Sequence, residues 1–460
     1  MNILPQNYND LLNNLISDAF SSILDNNLNF FNSNGNVMNY VNLLSNLDES
    51  LSSIARNTIA STLESLDLAF KNSIERKRKY HIKSRHTRTI LTIFGEISFT
   101  RTFYTSKLNG ENFCYVDRTI GLNKYDYFDP YLKALIVEYA SNNSFPKVAK
   151  YINDLIGNRV SIQHKHKFIS RQTVRNIILS SNLSKPNIKQ KPTPESLYII
   201  ADEKWIHTQN NNNNDIMVKS IVLFENVINH KLHNKMIFAS YDNSFINDCL
   251  DYIYYVYDID KINNIFIIGD GASWIKNLKF DFTIHKDINI IQALDKFHFK
   301  QALHHIALNK KLEGILADYV LNNLKKDFIE CCDLFIKNYP NRKQTIEAKK
   351  QYILNNWKNI NNLYKYNLSC PMESQISHNI ADLFTSRPKG YSLKTIKKLT
   401  ELRLLYKNNF NIKELYLNNY NNNKTLNIIN DDINFSHFDI LHKKETYTIL
   451  SKKAIISTFY

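Results

Sequence analysis

The chain has 460 residues, 43% of them hydrophobic and 12% aromatic, which is the composition of a folded globular protein and excludes a disordered one. That length exceeds what one hydrophobic core serves, so roughly two to four domains are expected. Lysine and arginine outnumber acids 58 to 43, a net charge of +15, which favours a polyanionic partner.

The N-terminus, MNILPQNYND, carries neither the basic start nor the apolar stretch of a signal peptide. No run approaches the ~18 apolar residues of a membrane span, so no membrane partner is expected. Residues 11–24, 41–47 and 51–66 read as amphipathic helices with polar joints. The basic run ERKRKYHIKSRHTR (75–88) follows. From Thr87 the period changes to two: residues 89–104 alternate across a turn at Phe94–Glu96, a small hairpin with the basic run beside it.

Three short helices are expected at 131–140, 144–156 and 170–180, the last capped by Ser170. Arg171, Gln172, Arg175 and Asn176 near the start of that helix fit a helix-turn-helix whose first turns reach base edges. A generic helical subdomain fits the same pattern, since the connection 158–169 is longer than a standard turn. Residues 184–195, with three prolines, read as a linker.

Beyond it lie strand candidates at 197–202, 216–224, 235–240, 265–270 and 288–294, with a helix at 245–257 between the third and fourth. This is the order of an RNase H-like mixed five-stranded sheet, antiparallel in its first half and parallel in the remainder. Residues 295–367 are again helical and charged. The expected division is a helical region over 1–86, a β-hairpin subdomain over 87–130, a helix-turn-helix-like DNA-binding region over 131–183 and the linker over 184–195. The core follows over 196–299, then a helical insertion over 300–369, the last core helix over 370–400 and a C-terminal region over 401–460.

In such a sheet the first and fourth strands are neighbours, so Asp202 (LYIIADEKWI) and Asp270 (IIGDGASWI) project from adjacent strand ends. Two carboxylates forced together repel unless cations lie between them, and hard oxygen donors suit Mg²⁺, with Mn²⁺ as a substitute. Two such ions support phosphoryl transfer. Gly269 and Gly271, two of only nine glycines, are expected to let a phosphodiester backbone approach. The same stretch also fits a tight turn in which Asp270 only caps a helix. Glu203 rivals Asp202, and since adjacent strand residues face opposite sides only one can serve. Glu373, after Pro371 at a helix start, is the candidate third acid, though it also fits as a simple dipole partner. Five cysteines without a C-x-x-C point to a reducing compartment. The histidines 285, 298, 304 and 305 match no zinc spacing, and no Walker-type loop implies a nucleotide cofactor.

The blocks ADEKWI (201–206), GDGASWI (269–275), LDKFHFKQAL (294–303) and MESQISHNIADLFTSRPKGYS (372–392) resemble the four signature blocks of ISLre-type insertion-sequence transposases. These are bacterial DDE-type enzymes related to the Mutator-like group. TIFGEISFTRTFY (92–104) and DRTIGL (117–122) resemble that family's N-terminal half, so the likeness spans roughly Thr87 to Ser392. The resemblance implies an RNase H-like catalytic domain with a helical insertion before the last acid. Asp202, Asp270 and Glu373 become the catalytic, metal-holding acids. Asp295 and His298 match a D-x-x-H signature, with His298 contacting DNA or positioning the site, and Arg387 holding a phosphate.

The implied partners are double-stranded transposon ends and target DNA, with a homodimer or higher oligomer pairing the ends. The implied location is cytoplasmic, on the nucleoid when DNA-bound. Departures from the family blocks are Trp205 and His207 after the first acid, the asparagine run at 210–214 and HKHKF at 164–168. A transposase-derived DNA-binding protein without catalysis, or a structure-specific nuclease of the same fold, would share most of these features.

Overall fold

The computed structural model describes residues 8–31, 37–157, 159, 169–209, 215–229, 231–283, 287–368, 384 and 390–419. It begins with two helices, α1 (Tyr8–Phe31) and α2 (Val37–Asn72), packed on each other. The two pieces expected at 41–47 and 51–66 are one helix. The joint between them holds no glycine or proline, and Leu44, Leu47, Leu51 and Ile54 keep the helical spacing through it.

The C-terminal half of α2 lies on a three-stranded antiparallel sheet, β1 (Tyr80–Thr92), β2 (Gly95–Ser106) and β3 (Asn112–Cys114). Leu63 of α2 joins Ile90, Ile97 and Phe99 in one core, and the buried Asp67 accepts from the Thr102 N–H (3.0 Å) and hydroxyl (2.6 Å). The hairpin is longer than expected. The basic run does not lie beside it but forms helix α3 (Ile74–Lys79) and then most of β1, whose exposed positions take Lys83, Arg85 and His86. The turn is Ile93–Phe94, and Gly95 takes φ +105° with the Arg159 carbonyl where a Cβ would stand.

After α4 (Tyr115–Ile120) come α5 (Pro130–Ala140), α6 (Phe145–Ile156) and α7 (Arg171–Ser180), at the expected places. Their apolar faces meet in one cluster with Leu402, Ile412 and Tyr416 from near the chain's end. The proline segment 184–195 has no regular structure, yet it is pinned. Ser184 N–H donates to Leu415 O, and Lys191 N–H donates to Val256 O.

The central sheet has the order β10–β9–β4–β5–β8, from β4 (Ser196–Ile206), β5 (Ile216–Phe224), β8 (Met236–Ser240), β9 (Asn264–Gly269) and β10 (Asn289–Leu294). Pairs β4–β5 and β5–β8 are antiparallel, while β4–β9 and β9–β10 are parallel. A two-stranded β6 (Asn226–Ile228) and β7 (Lys231–His233), absent from the sequence reading, links β5 to β8. Leu197, Ile199, Ala201, Ile265 and Ile267 face α8 (Ser244–Val256) and α9 (Ser273–Asp281). Ile200, Phe266 and Ile268 face the other way, toward Leu363 and Leu368.

The helical insertion comprises α10 (Lys296–Ile306), α11 (Lys310–Leu321), α12 (Lys325–Asn338), α13 (Lys343–Asn355) and α14 (Trp357–Lys365) around its own core. Helix α15 (Leu393–Lys407) crosses the boundary expected at 400 and packs on β8, α5 and α7, followed by a helix over 412–419. Asn408 then offers its amide to both the N–H and C=O of Ile237, covering part of the β8 edge. Among the described residues no helix is long and apolar enough to cross a membrane.

Candidate active site

Parallel pairing of β4 and β9 ends at Ile200–Ile268. Two residues further on each chain stand Asp202 and Asp270. The alternation that sends Ile200 to the α14 face sends Asp202 there as well, and Asp270, in the bend just past the end of β9, is near enough for its charge to act on Asp202. Asp202 does not end its strand, because β4 runs on to Ile206 paired only with β5, where Asp202 opposes Ser220. The strand end that matters is that of β9.

Glu203, one residue on, faces the α9 side and accepts from the Trp274 indole N–H. Asp202 is thus the carboxylate beside Asp270. Burial, reinforced by the Asp270 charge, pushes the Asp202 carboxyl above the usual carboxylate range. The Glu203 N–H (2.7 Å to Oδ1) and the nearby His298 pull it the other way.

Asp270 opens a tight turn: its Oδ1 accepts from Ala272 N–H at 2.8 Å, and Gly271 takes φ +85°. Asp295 is buried at the N-cap of α10, bound through its own N–H to Gly269 O (2.8 Å) and through Oδ2 to His298 N–H (3.4 Å). Burial pushes its carboxyl up as well, partly offset by His298. His298 is therefore near both Asp202 and Asp295, half-buried, three residues after Asp295 in the D-x-x-H that suggested it.

The two glycines have a packing cause within the chain. A Cβ on Gly269 would lie 2.7 Å from Ile275 Cγ2 and 3.1 Å from the Ala201 carbonyl, so this glycine lets α9 pack on the end of β9 beside β4. A Cβ on Gly271 would lie 2.7 Å from Oδ1 of Asn356, a buried side-chain oxygen without a hydrogen-bond partner. Protein fills both spaces.

Two residues that the sequence reading missed support the turn. Tyr352 of α13 donates its hydroxyl to the Asp270 carbonyl, and Asn356 packs against Gly271. Both belong to the insertion, and no local pattern marks them.

Glu373 and Arg387 lie outside the described residues. Their flanks do not. Leu368 packs with Ile200 and Ile268, Phe384 packs with Ile206, and Gly390 and Tyr391 lie against Gln209, so both ends of that segment touch β4 or its continuation. Among the described residues no group of three or more His, Cys, Asp or Glu is arranged to hold a metal. Cys114, Cys249, Cys331 and Cys332 are free thiols.

At a distance from this cluster, Arg171 and Gln172 are exposed at the start of α7, with Arg175 half-buried, and Gln172 donates to Asn176 at 2.9 Å. Ser170 caps the helix through Thr173 N–H.

A family model described as an uncharacterised protein family, UPF0236, matches residues 33–420. Relatives in Caldanaerobacter subterraneus subsp. tengcongensis bear the same family name. UPF0236 protein TTE0402 is 26% identical over 396 residues, covering 82% of this chain and 76% of its own. UPF0236 protein TTE2489 is 26% identical over 394 residues, covering 82% and 81%. A third, whose printed name joins eleven designations from TTE0033 to TTE2212, is 26% identical over 419 residues, covering 85% of each chain.

Proposed function

The chain belongs to the family UPF0236, and from that premise and the carboxylate geometry we propose that it is a transposase, cutting and joining DNA with an RNase H-like, metal-dependent catalytic domain. The observation that carries this reading is the nearness of Asp202, on β4, to Asp270, just past the end of the parallel neighbour β9, in a sheet ordered fifth–fourth–first–second–third.

The donor chemistry fits a hard divalent cation. Two carboxylates lie near each other on neighbouring segments, and Asp202 is held above its usual range by burial and by its partner's charge, a cost that a cation would relieve. Asp202 and Asp270 would hold Mg²⁺, with Glu373 as the third donor from a segment whose flanks touch β4. When bound, such ions activate a water or a 3′-hydroxyl and stabilise the leaving oxygen.

The remaining roles fall to the chain itself. Tyr352 fixes the Asp270 turn. His298, beside Asp202 and Asp295, positions the site or meets a phosphate, and Arg387 binds a phosphate. Arg171, Gln172 and Arg175 read duplex DNA from the start of α7. Exposed apolar residues such as Phe20, Leu28, Val41 and Leu44 on α1 and α2 offer a face for a second copy, which pairing of two DNA ends requires. The eleven designations joined in one relative's name fit a gene present many times in one organism, as a mobile element is.

Nicking of a supercoiled plasmid by the purified protein, with and without Mg²⁺, tests the reading. Wild type should nick only with the cation, and Asp270→Asn should abolish nicking while retaining DNA binding. Strand transfer from pre-cleaved ends separates a transposase from a nuclease of the same fold. DNA binding without any nicking would leave a DNA-binding protein and refute catalysis.

A further inference from the structure

A cavity of about 950 Å³ opens between the β1–β2–β3 sheet and the ends of α7 and the 412–419 helix. Its walls carry Lys83, His86, Arg101, Arg118 and Lys124, against a single acid, Asp117. That acid is already neutralised twice over, by Arg88 (2.6 Å) and Arg101 (2.9 Å), so the buried triad keeps a net positive charge beneath the groove. A second cavity of about 430 Å³ shares Phe113 and Arg118 and adds Arg78, Lys79 and Lys107 against Glu111. The cationic surface is therefore continuous along both.

Four aromatic rings line the groove, Phe103, Phe113, Tyr125 and the buried Tyr416, and a cation lies over each of the first three. Arg101 lies 5.0 Å from the Phe103 centroid, Arg118 4.6 Å from Phe113, and Lys124 5.1 Å from Tyr125. Bases of a single strand would need those ring faces for stacking. Phe103 and Phe113 are half-buried and Tyr125 is exposed, so the groove presents mainly charge and few stacking platforms, which suits the outer backbone of a duplex.

We infer that this groove is a docking site for the sugar-phosphate backbone of duplex DNA, separate from the carboxylate cluster and from the start of α7. The inference rests on the reading of the chain as a protein acting on DNA. Ser180, at one end of α7, lines the groove, while Arg171 opens the other end. Nine residue steps of helix separate them, ~14 Å, about the width of a major groove. One duplex can thus be read at Arg171 and gripped by its backbone at the groove.

The test measures anisotropy of a labelled mixed-sequence DNA duplex with the full chain, over a range of salt. Lys83→Gln/Lys124→Gln changes only exposed lysines, and a triple variant adds Arg118→Gln. A control removes three exposed lysines of the insertion, Lys310, Lys311 and Lys337. The triple groove variant should raise Kd by ~10-fold or more at 0.1 M salt and make the salt slope shallower by about three, the double variant by about two, with the control unchanged.

Wild-type affinity and slope in the groove variants would overturn the inference, as would an equal loss in the control, which would mean net charge alone. Loss of single-strand binding with duplex binding intact would assign the groove to single strands and also overturn it. Failure of the wild-type chain to bind any DNA would instead refute the underlying reading.

Discussion

The hydroxyl of Tyr352 donates to the backbone carbonyl of Asp270, across 82 positions of chain. The helical insertion is thereby tied to the turn that carries one of the two neighbouring acids. Tyr352→Phe keeps the ring and removes this bond, at a stability cost of ~1 kcal/mol. Its larger effect should be on the turn: metal-dependent nicking should slow by ~10-fold or more, the scale of small misplacements at a reacting centre, with duplex affinity unchanged. Equal nicking rates in the two proteins would remove Tyr352 from the account.

Gly271 combines φ +85° with an Asn356 oxygen where a Cβ would stand. Gly271→Ala should destabilise the fold by ~1–3 kcal/mol. In the Gly271→Ala background, Asn356→Ala should recover the steric part and leave the backbone strain. Urea unfolding of the two single variants and the double variant measures both contributions, and an unperturbed Gly271→Ala would contradict the packing described.

Much of this site was legible in the sequence because it depends on local periods. Apolar alternation in LYIIAD and IFIIGD located β4 and β9, whose parallel register brings Asp202 and Asp270 near each other. The choice between Asp202 and Glu203 follows from the same two-residue period, with Trp274 taking the glutamate. Contacts over long stretches of chain were not legible. Nothing near Tyr352 or Asn356 announces that they meet the Asp270 turn, and the glycines there answer to Ile275 and Asn356. The basic run misled for a different reason: His81–Lys83 and Arg85–Thr87 are all exposed, so this stretch of β1 carries no apolar pattern to mark it as strand.

Asp129 caps α5, its Oδ1 accepting from the N–H groups of Tyr131 and Leu132, while Oδ2 is buried without a partner. Burial raises its carboxyl to about 6, against which those N–H bonds and Lys133 work. The folded chain therefore holds this proton more tightly than the unfolded chain, whose aspartate titrates near ~3.9. Stability is lost as pH rises from ~4 through ~6 and stays lost above. Asp129→Asn keeps the cap and removes the charge. It should stabilise by on the order of 1–2 kcal/mol at pH ~8 and give no gain at pH ~4. Denaturation at the two pH values checks the sign, and a gain at low pH only would contradict it.

The central claim is that Asp202 and Asp270 together form a divalent-cation site, and thermal melting with Mg²⁺ or Mn²⁺ at neutral pH tests it without reference to activity. In wild type the cation should raise the melting temperature, by the equivalent of ~2.7 kcal/mol once its concentration is ~100 times its Kd. Asp202→Asn should melt above wild type without cation, because a carboxylate disfavoured by burial and by its neighbour is gone. In both Asp202→Asn and Asp270→Asn the cation-dependent rise should vanish. A full rise in either variant, or none in wild type, would contradict the claim.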